Sequence, residues 1–209
     1  MAIAVAALFG FDIPDNFRQP WFATSVAGMW RRWHISMTTW FTDYLYIPLG
    51  GSRKGKARKM LNTLIVFTVS GLWHGASWTF AYWGFVAAAY MVVGQLTLPY
   101  RKRACEALHI DRGTFGYKSL QRFIVLLLMS ANVVPFSIGG LKATAVYFLR
   151  MFTVWNPWVL VDGSFFTMGM TATDWAVVLV FGAVLLTVSA LREHGYSVRF
   201  ILKQNAVFR

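Results

Sequence analysis

The chain has 209 residues, of which 57% are hydrophobic and only 13% are charged. Because a soluble domain usually carries about 25% charged residues, this composition argues against a soluble protein and indicates one that lies in a lipid bilayer. The net charge of +12 would suit nucleic-acid binding, but the basic residues cluster in short segments beside apolar runs, as in the cytoplasmic loops of membrane proteins. No nucleic-acid-binding motif accompanies them, so we predict no nucleic-acid partner.

The first apolar segment, residues 1–14, is too short to cross a bilayer. It lacks the basic start and the cleavage site of a signal peptide. We therefore expect it to be the end of a helix that begins upstream, so that amino-terminal spans are missing from this chain.

Residues 25–46 are predicted to form one amphipathic helix that lies at the membrane interface. Its apolar residues follow the spacing of a single helix face. That face carries Trp30, His34, Met37 and Phe41, and the opposite face carries Arg32, Ser36, Thr39 and Asp43.

A turn follows this helix, because Pro48, Gly50 and Gly51 break the pattern. The sequence GGSRKGKA in the turn nearly matches a phosphate-binding loop, but Ala57 stands where the magnesium-binding hydroxyl is required and no buried strand precedes it. We interpret the basic residues 53–59 as a turn and a cytoplasmic anchor.

The remaining apolar stretches are predicted to be transmembrane helices. Residues 60–98 are long enough for two crossings of about 30 Å each, and Gly71 and Gly75 offer a place for a helix break or for close packing. Further spans are predicted at residues 123–138 and 175–191. The expected fold is all-α, a polytopic transmembrane helix bundle of about four spans with an interfacial amphipathic helix and a cytoplasmic carboxyl end.

His74 is the only strongly ionisable side chain between Met60 and Leu98. Ionisable residues in apolar spans are costly, so they are functional candidates by default. A neutral imidazole in the membrane interior, or in a cavity entering it, accepts a proton from an attacking hydroxyl, which makes His74 a candidate general base. The alternative is a packing histidine that hydrogen-bonds a neighbouring helix.

His34 is the second candidate, flanked by Arg31 and Arg32. Either it contacts a donor or orients a partner group, or it lies at the headgroup level while the arginines face lipid phosphate. We expect His34 and His74 to approach one shared cavity. No metal site is predicted, because zinc needs three or four protein ligands and the predicted spans contain no acidic residue near these two histidines.

Two sequence blocks carry a family resemblance. The blocks are MWRRWHISMTTWFTDYLYIPLGG at residues 29–51 and SGLWHGASWTFAYWG at residues 70–84. They resemble the membrane-bound O-acyltransferase family, in particular its bacterial branch that takes part in alginate O-acetylation. The segments DIPDNFRQPW and AVYFLRMF are similar to the same branch.

The resemblance implies that His74 is the catalytic residue and His34 the second functional histidine. Residues 1–209 would form a single transmembrane domain, the carboxyl-terminal part of a longer fold in the bacterial inner membrane. The implied reaction transfers an acyl group, in particular acetyl, to hydroxyls of an exported polysaccharide such as alginate. A thioester or other activated acyl would arrive from the cytoplasm as co-substrate, with no bound cofactor, and the polysaccharide or a periplasmic acetyltransferase partner would take the acyl group outside.

Two other functions remain open at this point. One is a non-catalytic membrane channel or scaffold subunit that passes acyl groups or glycan to a separate enzyme. The other is a lipid acyltransferase of the same class, against which the alginate-like form of residues 43–51 argues by analogy only.

The charge pattern predicts that the turn at residues 53–59 lies in the cytoplasm, on the same side as residues 101–103 and Arg209. A cysteine that replaces Lys56 should therefore react in intact cells with a membrane-permeant maleimide but not with an impermeant one. Reaction with the impermeant reagent from outside would show that the topology is inverted.

Overall fold

The computed structural model describes residues 2–164 and 169–196, and within them every regular element is helical. The predicted all-α class is therefore confirmed. The chain divides into two compact units, Met1–Val146 and Tyr147–Arg209, and both candidate histidines lie in the first. Arg209 itself lies outside the described residues, so its predicted side of the membrane stays a prediction, as does the single domain expected over the whole chain.

Eight α-helices occur in the described part of the chain. They are α1 Ala2–Leu8, α2 Val26–Trp30, α3 Ile35–Phe41, α4 Gly55–His74, α5 Trp78–Ala107, α6 Phe115–Ile138, α7 Leu141–Thr153 and α8 Ala172–Glu193. A π-helical turn, Thr42–Tyr46, follows α3 directly. Short 3-10 helices form at Pro20–Phe22 and Pro157–Leu160.

By length and composition, α5 and α8 are the helices of the described residues that can cross a membrane. The predicted number of about four spans is not confirmed. The first turns of α4 carry Lys56, Arg58 and Lys59, which leaves an apolar stretch shorter than the ~20 residues that a span needs. In α8, by contrast, no residue is fully buried and most apolar side chains are exposed, as expected of a surface that faces lipid.

The continuous helix predicted for residues 25–46 is wrong. The chain leaves the helical conformation after α2, and His34 adopts a left-handed backbone with φ 51° before α3 begins. Tertiary hydrogen bonds account for the break: the Arg18 amide donates to the Arg32 carbonyl over 2.9 Å, and the Ile35 amide donates to the Asn16 carbonyl over 3.0 Å. Backbone groups that the preceding segment satisfies do not need helical partners.

Helices α4 and α5 form a tight hairpin in which their backbones touch. A Cβ atom built on Gly71 would lie 2.2 Å from the Phe80 carbonyl oxygen, and one on Gly84 would lie 2.1 Å from the Phe67 carbonyl oxygen. Small residues allow this approach, as is usual where membrane helices pack. Gly75 lies in the turn after α4, so the predicted break and the predicted close packing both occur.

Aromatic rings tie α2 to this hairpin. Trp30 is buried, and its ring lies 5.1 Å from that of Phe67 on α4 and 5.9 Å from that of Trp83 on α5. Met29 from α2 and Val125 from α6 complete the same core cluster. The core of the first unit therefore holds the segment before His34 against α4, α5 and α6.

Replacing Gly71 by alanine should destabilise the hairpin by about 1–3 kcal/mol, because the new methyl group collides with backbone rather than with a movable side chain. Gly94 is a matched control on α5, since a Cβ there meets no atom within 4 Å. Gly94→Ala should be neutral or stabilising. Thermal unfolding in detergent checks both, and equal melting temperatures for the two variants would contradict the backbone contact.

Candidate active site

His74 is the last residue of α4, and its side chain is exposed. Two indoles flank it at nearly right angles: the Trp73 ring lies 4.9 Å away and the Trp83 ring 5.2 Å away, centroid to centroid. The imidazole is thus held in orientation while remaining accessible. Its location in the membrane interior stays a prediction.

The turn after His74 is shaped by Gly75. A Cβ at this position would lie 2.3 Å from the Phe80 ring, so only glycine leaves room for that ring. Helix α5 begins three residues later at Trp78. The GLWHG sequence therefore ends α4 sharply and returns the chain so that Trp83 reaches the imidazole.

His34 lies at the start of α3, half-buried, in the left-handed conformation already described. The Phe17 ring contacts it at 5.9 Å. Its Nδ1 atom is buried and has no hydrogen-bond partner among the described residues. A nitrogen in this state is available to a ligand or to a water molecule.

The Asn16 side chain secures this loop. Its Oδ1 atom accepts hydrogen bonds from the Ser36 amide at 2.9 Å and from the Ser36 hydroxyl at 3.0 Å. No sequence pattern pointed to Asn16 as a functional residue. The one signal was its place in DIPDNFRQPW, a segment that resembles the same acyltransferase branch as the two histidine blocks.

The carboxyl end of α3 meets the end of α4 that carries His74. From there the π-helical turn packs along α4 and leads back toward the start of that helix. Near the end of α4, the ring centroids of Phe41 and Trp73 lie 6.4 Å apart. Near its start, the side-chain amide of Asn62 donates to the carbonyl of Gly51 over 3.0 Å. His74 therefore lies at one end of α4 and the basic turn at the other, roughly 30 Å apart for a helix of this length.

A cavity of about 380 Å³ lies beside α4, between these ends. Its wall is mainly apolar and comes from residues of α2 to α5 and the π-helical turn. The lining residues are Ala27, Trp30, Arg31, Met37, Thr38, Phe41, Thr42, Tyr46, Thr63, Val66, Phe67, Ser70 and Met91. Neither histidine belongs to this wall, so the cavity that both histidines are expected to share stays a prediction.

A second pocket, of about 350 Å³, adjoins the first at the basic turn. Thr42 and Tyr46 line both pockets. The other residues of the second are Ile47, Gly50, Gly51, Ser52, Arg53 and Lys54. The first pocket, the apolar chamber, and the second are therefore neighbours, and the second carries the basic residues Arg53 and Lys54.

Comparison with known proteins shows which family the chain belongs to. The family model described as "MBOAT, membrane-bound O-acyltransferase family" matches residues 1–107. The probable alginate O-acetylase AlgI of Azotobacter vinelandii is 34% identical over 162 residues, which are 78% of this chain and 30% of the relative. The peptidoglycan O-acetyltransferase of Helicobacter pylori is 44% identical over 84 residues, 40% of this chain and 16% of the relative.

A third relative, the teichoic acid D-alanyltransferase of Streptococcus thermophilus, is 30% identical over 126 residues, 57% of this chain and 29% of the relative. The chain thus spans no more than 30% of the length of these curated relatives. Both histidine blocks fall inside the region that the family model matches, and the chain belongs to the membrane-bound O-acyltransferase family.

Proposed function

We propose that this protein takes part in membrane O-acyl transfer, moving an acyl group, specifically acetyl, to hydroxyls of an exported polysaccharide such as alginate in the bacterial inner membrane. The observation that supports this most is the exposed imidazole of His74 at the end of α4, oriented between the rings of Trp73 and Trp83. The printed names of the relatives add support, since they include an alginate O-acetylase and a peptidoglycan O-acetyltransferase.

His74 acts as the general base in this proposal. As the acceptor hydroxyl attacks the acyl carbonyl, a new ester C–O bond forms and the imidazole takes the hydroxyl proton. The bond to the leaving group then breaks, and the same imidazole returns the proton to that group. The exposed position of His74 gives the hydroxyl access, and Trp73 and Trp83 fix the ring.

The donor enters from the basic turn. A thioester or similar activated acyl is a co-substrate rather than a bound cofactor, and it uses the pocket of Arg53 and Lys54 as an entrance and the apolar chamber as a passage. The polysaccharide, or a periplasmic acetyltransferase partner, approaches from the histidine end. His34, with its buried unpartnered Nδ1, orients the acyl group or the acceptor.

A second function has one observation in its favour. Because neither histidine lines the chamber, the chain could serve as a non-catalytic membrane channel or scaffold that passes acyl groups or glycan to a separate enzyme. In that case any polar side chain at position 74 would support the function, because no residue of this chain would need to accept a proton.

The first test replaces His74. In its native cells, His74→Gln should lower polymer O-acetylation by about 10²- to 10⁴-fold, because glutamine keeps hydrogen bonding but cannot accept the proton, and His74→Ala should do the same. His109→Gln is a matched control, since His109 is also exposed and follows the end of a helix. Acetyl content is measured at equal protein level, and near-normal acetylation in His74→Gln would favour the scaffold.

The second test concerns the loop that holds His34. Asn16→Ala removes the acceptor of both Ser36 hydrogen bonds and should lower acyl transfer by up to about 10²-fold, the scale expected when a reacting group is misplaced. Asn16→Asp keeps the oxygen acceptors and should retain most activity. The control is Thr114→Ala, which removes a comparable acceptor at the start of α6. Equal activity in Asn16→Ala and Thr114→Ala would argue against a positioning role for Asn16.

A further inference from the structure

Trp73 combines exposure with contact to the proposed base. Its side chain is 62% exposed, although its ring centroid lies 4.9 Å from that of His74 and 6.4 Å from that of Phe41, with both pairs of rings at steep angles. Trp83, the other indole beside His74, is half-buried and packs on Trp30. Trp83 therefore contacts the imidazole from the packed side of α5, while most of the Trp73 indole is accessible.

We propose that Trp73 is a stacking platform for a sugar ring of the acceptor. This inference rests on the proposed function and assigns the acceptor subsite within it. The face of a pyranose carries weakly positive C–H groups, and an indole face carries the negative lobe of its quadrupole. The two surfaces are complementary in shape and charge, and the hydroxyls at the sugar's rim remain free to hydrogen-bond.

The neighbouring His74 makes such a platform useful for transfer. A sugar stacked on Trp73 would present its rim hydroxyls toward the imidazole, because the two rings are in contact and stand at 74° to one another. Holding the hydroxyl beside the base makes the proton transfer effectively intramolecular. A long polymer could then shift along the indole from one residue to the next, since stacking does not depend on a single hydroxyl pattern.

Trp78 is the control for Trp73, because it is an exposed tryptophan that does not contact His74. It begins α5 and is 82% exposed, and it is not among the rings that contact His74. An exposed tryptophan of a membrane protein also serves as an interfacial anchor, and that role needs apolar bulk rather than a π face. Leucine keeps apolar bulk at either position, whereas phenylalanine also keeps an aromatic face.

The test therefore compares Trp73→Phe, Trp73→Leu and Trp78→Leu in the full protein in membranes. Short unacetylated oligosaccharides prepared from alginate, carrying a fluorescent label, are titrated onto each variant. Binding is measured a second time in the His74→Gln background, where it does not depend on any acyl transfer. The KM for oligosaccharide and kcat are measured separately wherever transfer occurs.

We expect Trp73→Leu to weaken oligosaccharide binding about tenfold, with Trp73→Phe within about threefold of the original and Trp78→Leu unchanged. The loss should appear in KM more than in kcat. Wild-type affinity in Trp73→Leu, an equal loss in Trp78→Leu, or no saturable binding to the original protein would each overturn the platform. If Trp73→Leu lowers the protein level, Trp73→Met is used in its place. If His74→Gln abolishes acyl transfer but still binds the oligosaccharide, the result concerns the role of His74 as base and not the stacking role of Trp73.

Discussion

At the crossing of α4 and α5, the backbones of Gly71 and Gly84 touch because neither residue has a side chain to hold the helices apart. The geometry around the proposed base depends on this contact. His74 lies one turn beyond Gly71, and Trp83 directly precedes Gly84, so the close crossing brings the indole to 5.2 Å from the imidazole. A wider separation would leave an exposed histidine at a frayed helix end, with only its neighbour Trp73 to orient it.

His34 is held by different forces. Its left-handed backbone would cost about 1 kcal/mol or more for a side chain of this kind if nothing compensated it. The segment before α2 supplies that compensation through Asn16, which bonds the residues on the carboxyl side of His34, and through Arg18, which bonds those on the amino side. Packing fixes one histidine and hydrogen bonding fixes the other, so a substitution can disturb either one separately.

Sequence patterns predicted the features that local chemistry controls. Gly75 indicated where α4 ends, and the apolar stretch predicted a helix on each side of it. The break at His34 could not be predicted, because the residues from Trp30 to Phe41 do keep their helical spacing and both of these rings are indeed buried. Bonds from Asn16, twenty positions before Ser36, decide the backbone there, and periodicity does not report such bonds.

The separation of the two ends of α4 sets a condition on the proposed reaction. An acyl donor at the basic turn and a hydroxyl at His74 are a helix length apart, so one of them must travel beside α4. In the proposed reaction the apolar chamber would provide that path, since Ser70 lines its wall and lies one helical turn before His74, about 6 Å along the axis. A small acyl group beside Ser70 would then stand one helical turn from the imidazole, so the proposal requires the acceptor hydroxyl to attack between Ser70 and His74 rather than inside the chamber.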